Sequence, residues 1–231
     1  MEKEAMISIE NLNKQFKNQL VLNNINVKFS NGHIYGIIGR NGSGKTVLLK
    51  CICGFLKPTT GVISVNHKIV GKDIDFPENL GFIIETPGFL LNYSGYKNLK
   101  YLASIREKID SNEIKESMSL VGLDSADKKH VGKYSMGMRQ RLGIAQAIME
   151  KPDILVLDEP MNALDKNGVE EMRRLFLKMK SEGKLILLTS HNREDIEILC
   201  DEVYEMEERN GQIVCWIRPF SQNGYIRKIL I

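Results

Sequence analysis

Short apolar runs alternate along the chain with stretches of helical spacing. ISIENLNKQF (7–16) and NINVKF (24–29) alternate apolar and polar positions, and in the second Ile25, Val27 and Phe29 share one face. GHIYGIIG (32–39) is a continuous apolar run, suited to a strand buried on both faces. GVISVNHKIV (61–70) reads as strand pieces about a turn, and NLGFIIE (79–85) as another strand. From about Tyr96 the spacing turns helical, in YKNLKYLASIREKI (96–109) and NEIKESMSLVGL (112–123). Asp110 and Glu113 have the spacing of a capping box at the start of the second helix, with Asp in place of Ser or Thr.

After Glu150 strands return. DILVLDEP (153–160) and KLILLTS (184–190) are strand-sized and apolar, and NGVEEMRRLFLKMKSEG (167–183) and NREDIEIL (192–199) read as the helices between and after them. EVYEMEERNGQIVCWIR (202–218) reads as a hairpin turning at Asn210-Gly211. Buried strands alternating with helices predict a mostly parallel α/β sheet, with a helical insertion over 96–150.

Composition narrows the classes. The 231 residues are 42% hydrophobic and 26% charged, enough apolar material for a sizeable core without disulfide staples. A net charge of +3 argues against a surface that coats nucleic acid. No run approaches the ~20 apolar residues of a membrane span. The opening MEKEAMISIE lacks an apolar leader core, so the expected place of work is the cytosol. Cys51, Cys53, Cys200 and Cys215 form no C-x-x-C pair and read as reduced structural thiols.

The chemistry concentrates in two places. GRNGSGKT, from Gly39 through Arg40, Asn41, Gly42, Ser43 and Gly44 to Lys45 and Thr46, matches G-x-x-x-x-G-K-[ST] in full. It follows a strand and opens a helix. Polyphosphate needs inward-pointing backbone N–H groups, hence glycine, and a helix N-terminus behind them. Lys45 supplies a mobile charge for the β- and γ-phosphates, and Thr46 a hydroxyl for Mg²⁺. At the carboxyl end of an apolar strand, Asp158 suits the metal and Glu159 suits a general base for an attacking water. A nucleoside triphosphate and Mg²⁺ are the ligands these residues call for.

These motifs, in this order and over nearly the whole chain, resemble the ATP-binding cassette (ABC) ATPases. The resemblance implies ATP as the nucleotide and a single ABC ATPase domain over 1–231. Its P-loop NTPase (RecA-like) core with an antiparallel β subdomain would comprise 1–95 and 151–231, and the inserted helical subdomain 96–150. It implies an aromatic at Phe16 that stacks on adenine, an ordinary core Phe being the alternative. It implies a switch histidine at His191, catalytic together with Glu159, and a D-loop NALD with Asp165 crossing to a partner subunit. Glu85, in FIIETPGF, stands where most cassettes have a Gln that helps to hold the metal. Cassettes of bacitracin- and lantibiotic-type peptide exporters often carry Glu there, and they share sequence like GFLLNYSGYKNLKYLA (88–103).

YSMGMRQR (134–141) occupies the place of the family's signature, usually Leu-Ser-Gly-Gly-Gln. That segment binds the nucleotide held by a second subunit, in a head-to-tail pair. Ser135 and Gly137 keep a hydroxyl cap and a glycine for close approach. Met136 and Met138 replace Gly and Gln and read as packing residues. Met138, Leu142, Ala145 and Met149 form one apolar stripe of the helix that follows. The implied protein is the ATP-hydrolysing subunit of an exporter of a peptide antibiotic or other small compound. It would sit on the inner face of the membrane through a separate transmembrane permease, as a homodimer or paired cassette. A soluble cassette of another process, or one that binds ATP without cleaving it, fits less well. The chain has one cassette, a short insertion, and intact Lys45, Asp158, Glu159 and His191.

Overall fold

The strand and helix periods resolve into two sheets in a computed structural model of the chain, which describes residues 5–17, 19–85, 87–209 and 212–218. The first sheet is antiparallel, in the order β2-β1-β4-β5. Its strands are β1 (Ala5–Phe16), β2 (Gln19–Ser30), β4 (Thr60–Val65) and the short β5 (Lys68–Ile69). Ile25, Val27 and Phe29 are all buried, as the alternation predicts.

The second sheet has six strands, in the order β10-β9-β3-β8-β7-β6. β3 (Ile34–Gly39), β6 (Leu80–Ile83), β7 (Ile154–Leu157), β8 (Leu185–Thr189) and β9 (Glu202–Arg209) run parallel, and β10 (Gln212–Arg218) pairs antiparallel with β9. The expected Asn210-Gly211 turn lies outside the described residues. On β7 and β8, Leu155, Leu157, Ile186 and Leu188 face one apolar cluster, and Ile154, Val156, Leu185 and Leu187 face the other. The period of two thus buries both faces, which is why these strands read as unbroken apolar runs.

α1 (Lys45–Ile52) packs with the antiparallel sheet on one face. α2 (Gly95–Arg106), α3 (Ser111–Leu120), α4 (Met136–Ile148), α5 (Lys166–Ser181) and α6 (Arg193–Leu199) share the cluster on the other. α2, α3 and α4 fall between β6 and β7 in the chain. The capping box at α3 forms as read: Asp110 accepts from the Glu113 amide, and the Glu113 carboxylate accepts from the Asp110 amide. The three described cysteines are free, and burial lifts the thiols of Cys51 to about 11 and of Cys200 to about 12, with Cys53 pushed up as well. Such thiols stay protonated and inert, in line with a structural role. Among the described residues no helix is long and apolar enough to cross a membrane.

Candidate nucleotide site

The phosphate loop connects β3 to α1 at the carboxyl edge of the parallel sheet. Gly44, at φ 95°, holds a left-handed conformation immediately before α1, which only glycine adopts at low cost. Lys45 is 7% exposed, and its Nζ donates to the Gly39 and Arg40 carbonyls at 2.7 and 3.1 Å. Burial pulls its pKa below the ordinary lysine value, and the Glu159 and Asp158 carboxylates partly offset this.

β7 and β8 end beside that loop and supply the rest. Thr46 Oγ1 donates to Asp158 Oδ2 at 2.8 Å. Thr189 Oγ1 donates to Asp158 Oδ1 at 2.7 Å and accepts from the Glu159 amide at 2.8 Å. Glu159 has φ 50°, a left-handed conformation that an L residue keeps only when its surroundings enforce it. Its Oε2 accepts from the His191 amide at 3.3 Å, and its Oε1 lies 3.2 Å from His191 Nε2. Burial raises the Glu159 pKa, against the lowering pull of His191. Behind His191 the Arg173 guanidinium donates to buried Asp195 at 2.9 Å, which accepts from Ser190 at 3.1 Å, and Ser190 in turn accepts from the Asn192 amide at 3.0 Å.

One cavity of about 450 Å³ gathers these groups. Phe16, Asn41, Gly42, Ser43, Gly44, Lys45, Thr46, Asp158, Glu159 and His191 line it, with Val21 and Val47. Gly39 and Arg40 take part through the carbonyls that Lys45 reaches. Phe16 closes the β1–β2 hairpin, opposite Gln19. It is 41% exposed, so it is no core residue, and the Lys14 ammonium lies 4.8 Å from the centre of its ring. The polar lining fits Mg-ATP. The Ser43 hydroxyl is buried with no hydrogen-bond partner, as expected where a ligand completes the set. Mg²⁺ needs few protein oxygens beyond those of the phosphates and water, and Thr46 and Asp158 would supply them.

Three expectations concern residues outside this cavity. Glu85 is held by α1. Its carboxylate pairs with Lys50 at 2.6 Å, one helical turn beyond Thr46 on α1, and it does not line the cavity. Asp165 caps its own helix, accepting from the Gly168 amide at 2.9 Å. The two methionines differ: Met138 packs against the core, while Met136 is 74% exposed. Ser135 caps α4, accepting from the Met138 amide at 3.2 Å, and keeps its hydroxyl hydrogen free to donate. Gly137 has a second reason to be small, since a Cβ there would lie 3.0 Å from the Ala163 carbonyl.

Sequence reading missed Thr189, Ser190, Arg173 and Asp195. Thr189 and Ser190 sit in LLTSH beside His191, where their place at a strand's carboxyl end was a usable signal. Arg173 and Asp195 carried none.

The ABC transporter family profile matches residues 22–162. An ABC transporter ATP-binding protein of Bacillus subtilis, YybJ, is 47% identical over 87% of this chain and 92% of its own length. The bacitracin transport ATP-binding protein BcrA of Enterococcus faecalis is 40% identical over 89% of this chain and 67% of its own. The lantibiotic transport ATP-binding protein SrtF of Streptococcus pyogenes is 36% identical over 85% and 84%. Among solved structures, a dimeric bacterial ABC transporter cassette, MJ0796, superposes with a TM-score of 0.77 over 87% of this chain and 94% of its own, at 21% identity. The chain belongs to the ABC transporter family, as an ATP-binding, ATP-hydrolysing subunit.

Proposed function

We propose that this chain cleaves Mg-ATP to drive a separate membrane permease that exports a peptide antibiotic. The observation that carries the reading is the convergence of Phe16, Lys45, Thr46, Asp158, Glu159 and His191 on one cavity. Phe16 stacks on the adenine, while Lys45 and the amides of 41–46 hold the phosphates. Mg²⁺, on Thr46 and Asp158, supplies charge neutralisation at the phosphate oxygens. Glu159 takes the proton of the attacking water, and His191 fixes its carboxylate and reaches the γ-phosphate. A raised carboxylate pKa makes Glu159 a better proton acceptor than an ordinary glutamate at neutral pH.

The phosphates need cover on the side away from their loop. Ser135 and Gly137, at the N-terminus of α4, supply that cover for a second copy in a head-to-tail pair. The dimeric cassette of the same fold supports this pairing. The peptide class rests on the bacitracin and lantibiotic transport relatives. The place of work is the cytoplasmic face of the membrane, reached through the permease.

The test is to isolate the native complex from membranes, identify the permease, and reconstitute both in lipid vesicles with bacitracin as the probe. Stimulation of ATP cleavage by the peptide supports the reading. An intact, ATP-cleaving complex indifferent to bacitracin and to lantibiotics removes the peptide class and leaves the ATPase.

A further inference from the structure

Glu159 is strained at φ 50°, and its peptide is gripped from both sides. On the amide side Thr189 accepts at 2.8 Å. On the carbonyl side the grip comes from α4: Gln140 Nε2 donates to the Glu159 carbonyl at 3.3 Å and to the Pro160 carbonyl at 2.8 Å. Gln140 is half-buried and does not line this chain's own nucleotide cavity. Its amide spends its donors on these two carbonyls, which are 19 and 20 residues away in sequence.

α4 is also the helix whose capped end carries Ser135, and Gln140 lies five residues further along it. At the same end Gly137 sits close against the Ala163 carbonyl. The segment 159–163 therefore rests on α4 over its length, at Gln140 and again at Gly137.

We propose that Gln140 is a positioning residue for the catalytic base: by holding the Glu159 and Pro160 carbonyls it keeps the strained Glu159 peptide in place, and so makes the seating of the signature helix a condition on the subunit's own ATP cleavage. The inference rests on Glu159 being the base. It assigns a role to the glutamine of the segment YSMGMRQR that direct contact with a nucleotide does not explain. Without the amide donors, the left-handed peptide relaxes toward ordinary backbone and carries its carboxylate away from the attacking water. The groups that face this carboxylate are His191 from the turn after β8, Lys45 from α1 and neighbouring Asp158. None lies on α4, so Gln140 acts through geometry rather than charge.

The test uses the full chain and three variants: Gln140→Met, which keeps length and loses the donors, Gln140→Lys, which restores a donor, and Glu159→Gln. Gln140→Met is expected to lower kcat about tenfold, the scale of one net hydrogen bond, with ATP affinity by titration unchanged. Gln140→Lys should recover part of the rate. Combining Gln140→Met with Glu159→Gln should add no further loss. A full additional tenfold loss in the double variant, or an unchanged kcat in Gln140→Met, overturns the positioning role. If Glu159→Gln alone cleaves ATP at the normal rate, the assignment of the base falls instead, and the two failures are thereby told apart.

Discussion

Thr46 Oγ1 and Asp158 Oδ2 are joined by a 2.8 Å hydrogen bond across 112 residues of sequence. The bond ties the first turn of α1 to the end of β7, and so fixes the two halves of the nucleotide site to each other. Preorganised donors and acceptors of this kind need no rearrangement at the moment of reaction.

Lys45→Ala removes the one buried ammonium of the loop. ATP affinity measured by titration calorimetry should fall by two orders of magnitude or more, on the order of 3 kcal/mol for a charge-assisted contact. The fold should survive, because the Lys45 partners are the carbonyls of Gly39 and Arg40, and Arg40 is exposed to water.

Glu159 makes stability depend on pH. Its folded pKa lies above its unfolded value because it is buried, so the ionised folded form is penalised. That penalty is present above the folded pKa and vanishes as the pH falls below the unfolded value. Glu159→Gln should therefore melt at a higher temperature than the parent at pH 8, with the gap closing toward pH 4. Thermal scans across that range, without nucleotide, measure it.

The signature segment separates bulk from charge. Met136→Gly should alter steady-state phosphate release less than about threefold, since the side chain is 74% exposed. Gly137→Ala brings a methyl to 3.0 Å from the Ala163 carbonyl and should cost a modest part of the rate. Gly137→Asp adds a carboxylate facing the partner's phosphates and should stop turnover. Equal activity for Ala and Asp would mean that no phosphate approaches this end of α4.

The segment TPGFLLNY divides at the core boundary. Phe89 packs against the core cluster, while Leu90 and Leu91 are 51% and 55% exposed. Asn98 pins the segment by accepting from the Leu90 amide at 2.8 Å and donating to the Leu90 carbonyl at 3.1 Å, so the exposed leucines are held rather than loose. Phe89→Ser should destabilise the chain by about 1–3 kcal/mol. Leu90→Ser with Leu91→Ser should leave the melting temperature and the isolated ATPase unchanged, and should abolish co-purification with the permease if that subunit docks there.

Much of this was legible in the sequence, and the reason is local. Strands such as ILVL and LILLT are buried on both faces, so their composition alone declares them. The phosphate loop and the Asp158-Glu159 pair are contiguous in sequence and need only a strand beside them. What escaped was set by contacts between distant segments. Lys50 neutralises Glu85 from one turn along α1, which no pattern within FIIETPGF announces. Gln140 sits in the very stretch that was read for its methionines, yet its partners lie 19 and 20 residues downstream. Phe16 could not be told from a core residue until the hairpin placed it on the cavity wall.

The most direct measurement of the central claim is steady-state phosphate release by Glu159→Gln, read beside its affinity for Mg-ATP. With Glu159 as the base at the end of β7, the variant should bind Mg-ATP as the parent does and cleave it on the order of 10²–10⁴-fold more slowly. Cleavage at the parental rate with intact binding would contradict the account.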